Sequence, residues 1–192
     1  MTEYLSYFPA AYRVCKDVVY EYWYTDHNTD TNERIYPSCT WYDKYTTFFC
    51  TPTHIIDNLY IGSAYNAANF AQLKSFDIKV IINMTNEISN YFSNDFTYKQ
   101  FQLYDNNVDD IEKYLTDIMM CIDENKDKNI LVHCKIGASR SAGIVLYYLM
   151  IRHQMDLTKA LEFVKEKRTI INPNNKFIES LKKVNIYLQT KV

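Results

Sequence analysis

From Pro52 onward, the chain alternates between short apolar runs and helical periodicity. Apolar runs predict buried strands over 79–84, 98–103 and 130–132, and residues 55–62 predict two strands joined by a turn. Apolar residues at helical spacing predict helices over 64–74, 110–126, 142–151, 157–168 and 174–190. Strands that alternate with helices are typical of the α/β class. We therefore predict a mostly parallel central sheet with helices on both faces.

The first 52 residues follow a different pattern and hold 14 of the 30 aromatic residues. Apolar positions after Pro9 predict a short amphipathic helix, residues 26–32 a polar loop, and residues 35–49 one or two strands. We predict an aromatic-rich N-terminal extension, residues 1–52, ahead of a domain over residues 53–192. Because large aromatic side chains favour burial, we expect this extension to form a flap on the domain, a homodimer contact or a substrate-docking surface.

Composition and charge narrow the class of protein. The chain has 192 residues, of which 47% are hydrophobic and 23% charged, as expected for one globular domain with an appendage. A net charge of −2 argues against a nucleic-acid-binding protein. We expect no membrane span, because no apolar run approaches about 18 residues, and no signal peptide. Five cysteines without a regular framework or metal-ligand spacing indicate a reducing, cytoplasmic location and argue against a zinc site. We expect neither a metal nor a cofactor.

The segment between the predicted strand 130–132 and the helix 142–151 carries the candidate chemistry. Cys134 and Arg140 stand there with five residues between them. A strand, a tight loop and a helix N-terminus in that order form an anion site, because loop N–H groups and the helix dipole converge on one point. The same positive environment favours a cysteine thiolate, which is a nucleophile. Arg140 adds a planar fork that can bind two oxygens of a tetrahedral oxyanion.

These residues form the pattern His-Cys-x-x-Gly-x-x-Arg-Ser over residues 133–141. It resembles the signature of the dual-specificity phosphatases, within the cysteine-dependent protein tyrosine phosphatase superfamily. Residues 59–63, 80–83 and 167–174 are similar to further stretches of that family, so the resemblance covers about residues 53–190. It implies a protein tyrosine phosphatase-like fold with a catalytic domain over residues 53–192.

The resemblance also implies roles for individual residues. Cys134 would be the nucleophile and His133 a supporting residue that orients the loop and raises thiolate character. Ser141 would assist release of the thiolate, although a serine is also common at a helix N-terminus. The phosphate-binding loop (P-loop) would consist of Lys135, Ile136, Gly137, Ala138, Ser139 and Arg140.

A phosphatase of this kind also needs a general acid to protonate the leaving oxygen. Asp109 forms a predicted capping box with Glu112, and Asp110 lies in the first turn of the predicted helix, so both have structural explanations. Asp105 has no such explanation and follows a strand on a loop. The family pattern Asp-x4-Asp-Ile also places the acid at Asp105. We therefore predict Asp105 as the acid, with Asp109 as the alternative.

Three functions remain open on the sequence. The first is a phosphatase for phosphotyrosine and phosphoserine or phosphothreonine in proteins, acting through a phosphocysteine intermediate. The second is a phosphatase for a phosphoinositide or an RNA 5′ phosphate; such sites usually need more positive charge, and Lys135 is the only basic residue between Cys134 and Arg140. The third is a phosphopeptide-binding module, although such modules have lost the cysteine or the arginine. We predict the first, with a phosphorylated protein as partner.

Overall fold

A five-stranded sheet forms the centre of the computed structural model, which describes residues 49–105 and 109–190, with the side chains of 109 and 110 excepted. The strand order is β1-β2-β5-β3-β4. β1 is antiparallel to β2, and the other neighbouring pairs are parallel. The prediction of a mostly parallel sheet is confirmed. The strands are β1 (Thr53–Ile56), β2 (Leu59–Gly62), β3 (Ile78–Asn83), β4 (Thr97–Gln100) and β5 (Asn129–His133).

Helices follow the predicted order with one exception. Residues 64–74 form two short helices instead of one, because Asn69 caps the second: its side-chain oxygen accepts the N–H of Gln72 at 3.1 Å. The strand predicted to reach residue 103 ends at Gln100. The helices are α1 (Ala64–Ala67), α2 (Phe70–Ser75), α3 (Asp109–Glu124), α4 (Arg140–Arg152), α5 (Leu157–Lys167) and α6 (Asn175–Gln189).

The alternation of side chains along β5 explains why helices cover both faces of the sheet. Ile130 and Val132 point into the large core cluster that also contains the apolar residues of α4, whereas Leu131 points into a second cluster with Ala67 and Leu73. Accordingly, α1 and α2 contact one face, and α4 and α5 contact the other. The prediction of helices on both faces is therefore confirmed.

The connection from β5 to α4 lies at the middle of this arrangement. β5 ends at His133, and α4, whose first eleven residues are almost all buried, begins at Arg140. Residues 134–139 therefore join a central strand to a core helix, at the carboxyl edge where parallel sheets place their ligand sites.

The predictions for the N-terminal extension (a helix after Pro9, a loop over 26–32, strands over 35–49, and a flap, a homodimer contact or a substrate-docking surface) concern residues 1–52, of which only residues 49–52 lie within the described part. The predicted capping box of Asp109 also lies outside it. Within the described residues, no helix has the length and apolar character needed to cross a membrane.

Candidate active site

The loop after β5 wraps around the sulfur of Cys134. This side chain is only 2% exposed, and its Sγ accepts the backbone N–H of Gly137 at 3.2 Å. Gly137 has a φ of +78°, and a Cβ there would lie 2.5 Å from the Gly62 carbonyl oxygen, so only glycine fits this position. The Oγ of Ser141 lies 3.2 Å from the same sulfur. The structure thus brings Cys134, Gly137 and Ser141 together as predicted.

Arg140 opens α4 and is 4% exposed. Its Nη1 and Nη2 donate to the two carboxylate oxygens of Glu87 at 3.0 and 2.6 Å, and Nη1 also donates to the Leu103 carbonyl at 3.1 Å. Nε has no hydrogen-bond partner among the described residues. A guanidinium can bind two oxygens either through Nη1 and Nη2 or through Nε and Nη2. Glu87 binds the Nη1–Nη2 pair, which leaves the Nε–Nη2 pair for an oxyanion.

The ion pair between Arg140 and Glu87 keeps both side chains in their charged forms. Burial disfavours the charged form of Arg140, but the bond to Glu87 and the charges of Cys134, Glu87 and Asp105 raise its pKa. Burial likewise would raise the pKa of Glu87, yet the hydrogen bond and charge of Arg140 lower it. A buried cation and a half-exposed carboxylate therefore remain ionised together beside the loop.

Glu87 was not among the site residues predicted from the sequence. It lies in the loop after β3, 53 positions from Arg140. One signal could have found it: β3 is parallel to β5, so residues just beyond its carboxyl end meet the loop that follows β5. A carboxylate there is a candidate partner for a cation of that loop.

Asp105, the residue predicted as the general acid, lies at the rim of the loop. Its Oδ1 accepts a hydrogen bond from Ser139 Oγ at 2.5 Å and one from Asn174 Nδ2 at 3.2 Å. Asn174 also donates to the Asp105 carbonyl and caps α6 through its own side-chain oxygen. Ser139 and Asn174 therefore hold the exposed Asp105 beside the loop. The backbone of Asp109 begins α3, but its side chain lies outside the described part.

The remaining residues predicted for the site have structural positions of their own. The Ser139 side chain does not cap α4; its hydroxyl donates to Asp105 and accepts the Asn174 N–H at 3.2 Å. His133 is fully buried with Nδ1 3.4 Å from the Cys134 carbonyl oxygen, and burial lowers the pKa of His133 to about 4. His133 is therefore neutral near pH 7 and adds no charge beside the loop.

The site combines a thiol, an arginine fork and a carboxylic acid around one position. A tetrahedral oxyanion on the sulfur would meet the loop N–H groups and Arg140, and the acid would lie beside it. Within residues 49–105 and 109–190, no cluster of His, Cys, Asp and Glu could hold a metal ion. The arrangement suits transfer of an oxyanion group to Cys134 with proton transfer at Asp105.

Comparison with known sequences gives a consistent result. A family model described as dual specificity phosphatase, catalytic domain, matches residues 59–186. Protein phosphatase Slingshot of Drosophila melanogaster is 39% identical over 132 residues, covering 68% of this chain and 13% of that protein. Human dual specificity protein phosphatase 4 is 39% identical over 132 residues, covering 68% of this chain and 34% of that protein. The chain thus matches only about a third or less of either relative.

Comparison with solved structures extends this to the fold. A crystal structure of a human DUSP28 variant matches with a TM-score of 0.69 and 25% identity, covering 74% of this chain and 99% of that one. Human tyrosine phosphatase-like serine/threonine/tyrosine-interacting protein matches with a TM-score of 0.66 and 30% identity, covering 72% of this chain and 98% of that one.

Proposed function

The chain belongs to the dual specificity phosphatase family, and from this premise we propose that it hydrolyses phosphotyrosine and phosphoserine or phosphothreonine in proteins. The observation that carries the proposal is the loop around Cys134, where the sulfur accepts an N–H of the same loop at 3.2 Å. We also propose that the protein resides in a reducing, cytoplasmic compartment, because the proposed nucleophile must remain a free thiol.

In the first step, the Cys134 thiolate attacks phosphorus. A sulfur–phosphorus bond forms and the bond to the ester oxygen breaks, while Asp105 gives its proton to the leaving oxygen. Two donors already occupy Oδ1 of Asp105, so we assign the transferred proton to Oδ2. The free fork of Arg140 and the loop N–H groups bind the non-bridging oxygens throughout.

In the second step, water attacks the phosphocysteine. The oxygen–phosphorus bond forms, the sulfur–phosphorus bond breaks, and the ionised Asp105 takes a proton from the water. Ser141 Oγ, 3.2 Å from Sγ, donates a hydrogen bond to the departing thiolate. The products are inorganic phosphate and the starting thiolate.

A panel of phosphate esters tests the substrate class. We expect kcat/KM for phosphotyrosine, phosphothreonine and phosphoserine peptides to exceed that for a short-chain phosphoinositide and a 5′-phosphorylated RNA by about tenfold or more, because discrimination follows binding in the transition state. The Cys134→Ser variant, purified in parallel, controls for contaminating phosphatases. Higher activity on the phosphoinositide or the RNA would favour the second function, and binding of phosphopeptides without turnover by the parent would favour a binding module.

Glu87→Gln should weaken the reaction without abolishing it. The amide keeps the shape but loses the charge that fixes the Arg140 fork, and hydrogen bonds to charged groups are the stronger class. Because the Glu87 side chain is 37% exposed, solvent screening moderates the effect, and we expect kcat/KM on p-nitrophenyl phosphate to fall by about tenfold. Glu166→Gln, at an exposed position of α5, is the matched control. Equal kinetics in the two variants would show that Glu87 does not position Arg140.

A further inference from the structure

Arg168 is a fully buried cation behind the loop that takes no part in the two proposed reaction steps. It follows α5 and is 1% exposed. Its Nε donates to the Gly137 carbonyl at 2.8 Å and its Nη2 to the Ile136 carbonyl at 3.1 Å. Its Nη1 donates to Thr53 Oγ1 at 3.1 Å, at the start of β1. One guanidinium therefore holds two successive peptide groups of the loop.

These bonds belong to a continuous row on the outer side of the loop. The Lys135 carbonyl accepts the Ala64 N–H at 3.0 Å, and the Ala138 carbonyl accepts the Asn172 N–H at 2.8 Å. With the two bonds of Arg168, all four carbonyls of residues 135–138 are bound by groups outside the loop.

The row determines where the loop N–H groups point. In a trans peptide the C=O of one residue and the N–H of the next point in opposite directions. Because the carbonyls bind groups on the outer side of the loop, the N–H groups that follow them point towards its inner side, where Cys134 lies. The Ile136–Gly137 peptide shows both ends: its oxygen accepts from Arg168, and its N–H donates to Cys134 Sγ at 3.2 Å. Arg168 therefore fixes a peptide that contacts the sulfur directly.

The charge of Arg168 has no carboxylate partner within ion-pair distance among the described residues. Burial lowers the pKa of Arg168 to about 10, and electrostatic interactions with Cys134 and Cys50 oppose this effect. This buried guanidinium donates its hydrogen bonds mainly to carbonyl oxygens of the loop. The other charged or titratable groups around the loop are Lys135, Arg140, Glu87, Asp105 and His133.

We propose that Arg168 is a positioning residue of the site: it holds the loop so that the loop N–H groups point towards a bound oxyanion. Arg168 touches neither substrate nor sulfur and acts through the loop. The inference rests on the proposed function for its meaning, but its test does not require turnover.

Two substitutions in the full-length chain separate the fork from the charge. Arg168→Met removes both, and Arg168→Lys keeps the charge but loses the planar fork. The first readout is the dissociation constant of tungstate as a phosphate analogue. The second is the pH midpoint for alkylation of Cys134 by iodoacetate, located by peptide mass spectrometry. Circular dichroism checks folding, and Arg152→Met, which removes a surface arginine paired with Asp123 at 2.5 Å, is the control.

We expect both Arg168 variants to bind tungstate about tenfold more weakly than the parent, since each loses the fork that orients the loop. In both variants the midpoint for alkylation of Cys134 should rise, because the Gly137 N–H that binds Cys134 Sγ is no longer held in place. Arg152→Met should match the parent in both readouts.

A folded Arg168→Lys variant with the parent's tungstate affinity would overturn the proposal. This result would be decisive even if the Arg168→Met variant did not fold. An unchanged midpoint in folded Arg168→Met would show that Arg168 does not hold the Gly137 N–H against the sulfur. If the parent hydrolysed no phosphate ester, the proposed function would fall, while tungstate binding and alkylation would still decide the role of Arg168.

Discussion

Replacing Cys134 by Ser is expected to lower the turnover of p-nitrophenyl phosphate by roughly 10⁴-fold or more, as removal of a nucleophile does in other enzymes. A serine hydroxyl is far less acidic and less nucleophilic than a thiol, so it cannot attack phosphorus without a base. Tungstate binding should remain, because the loop N–H groups and the free fork of Arg140 are unchanged. Steady-state kinetics and a tungstate titration on the same sample measure both effects.

The matched control is Cys50→Ser, which changes an exposed free cysteine outside the loop. It should keep the parent's rate. Substantial activity in Cys134→Ser, or loss of activity in Cys50→Ser, would show that the nucleophile has been assigned to the wrong residue.

Asp105→Asn should lower the rate by about 10²–10⁴-fold, the usual contribution of general acid–base catalysis. The asparagine oxygen can still accept from Ser139, so the loop keeps its contact while the transferable proton is lost. The loss should be larger for phosphoserine peptides than for p-nitrophenyl phosphate, because an alkoxide needs a proton to leave and a nitrophenolate needs it much less. Comparing kcat for the two substrates measures this difference.

Asp127→Asn, at an exposed position after α3, is the control and should behave as the parent. The alternative acid is tested in the same series. A large loss in Asp109→Asn together with a mild effect in Asp105→Asn would transfer the role to Asp109, and an equal loss on both substrates in Asp105→Asn would indicate that the residue does not supply a proton.

The fold was predictable because its elements carry strong periodic signals. The apolar strands β3 and β5 are buried on both faces, so they read as continuous apolar runs in the sequence. The interruption at Asn69 was missed because the apolar pattern continues through it, although asparagine is a favoured N-cap residue. The early end of β4 was missed for a related reason: apolar residues 101 and 103 remain buried after the strand has ended.

The loop around Cys134 was predictable because its residues are adjacent in sequence. Contacts from distant segments were not. Glu87 reaches Arg140 only because the sheet places the end of β3 beside this loop. Asn174 reaches Asp105 only because the start of α6 lies there. No local sequence pattern marks either contact. Arg168 stood within a recognised stretch, yet its burial is an unusual state for an arginine and could only be seen in the structure.

Detection of the phosphocysteine intermediate tests the proposed reaction most directly. The Asp105→Asn variant, in which water activation for the second step is also impaired, would be mixed with p-nitrophenyl phosphate, quenched within one turnover in denaturant at neutral pH, and digested for mass spectrometry. We predict one added phosphoryl group on the peptide that contains Cys134, and none when Cys134 is also changed to Ser. A phosphoryl group on another residue, or release of phosphate by the parent with no phosphorylated Cys134 at any time, would contradict the role of Cys134 as the nucleophile.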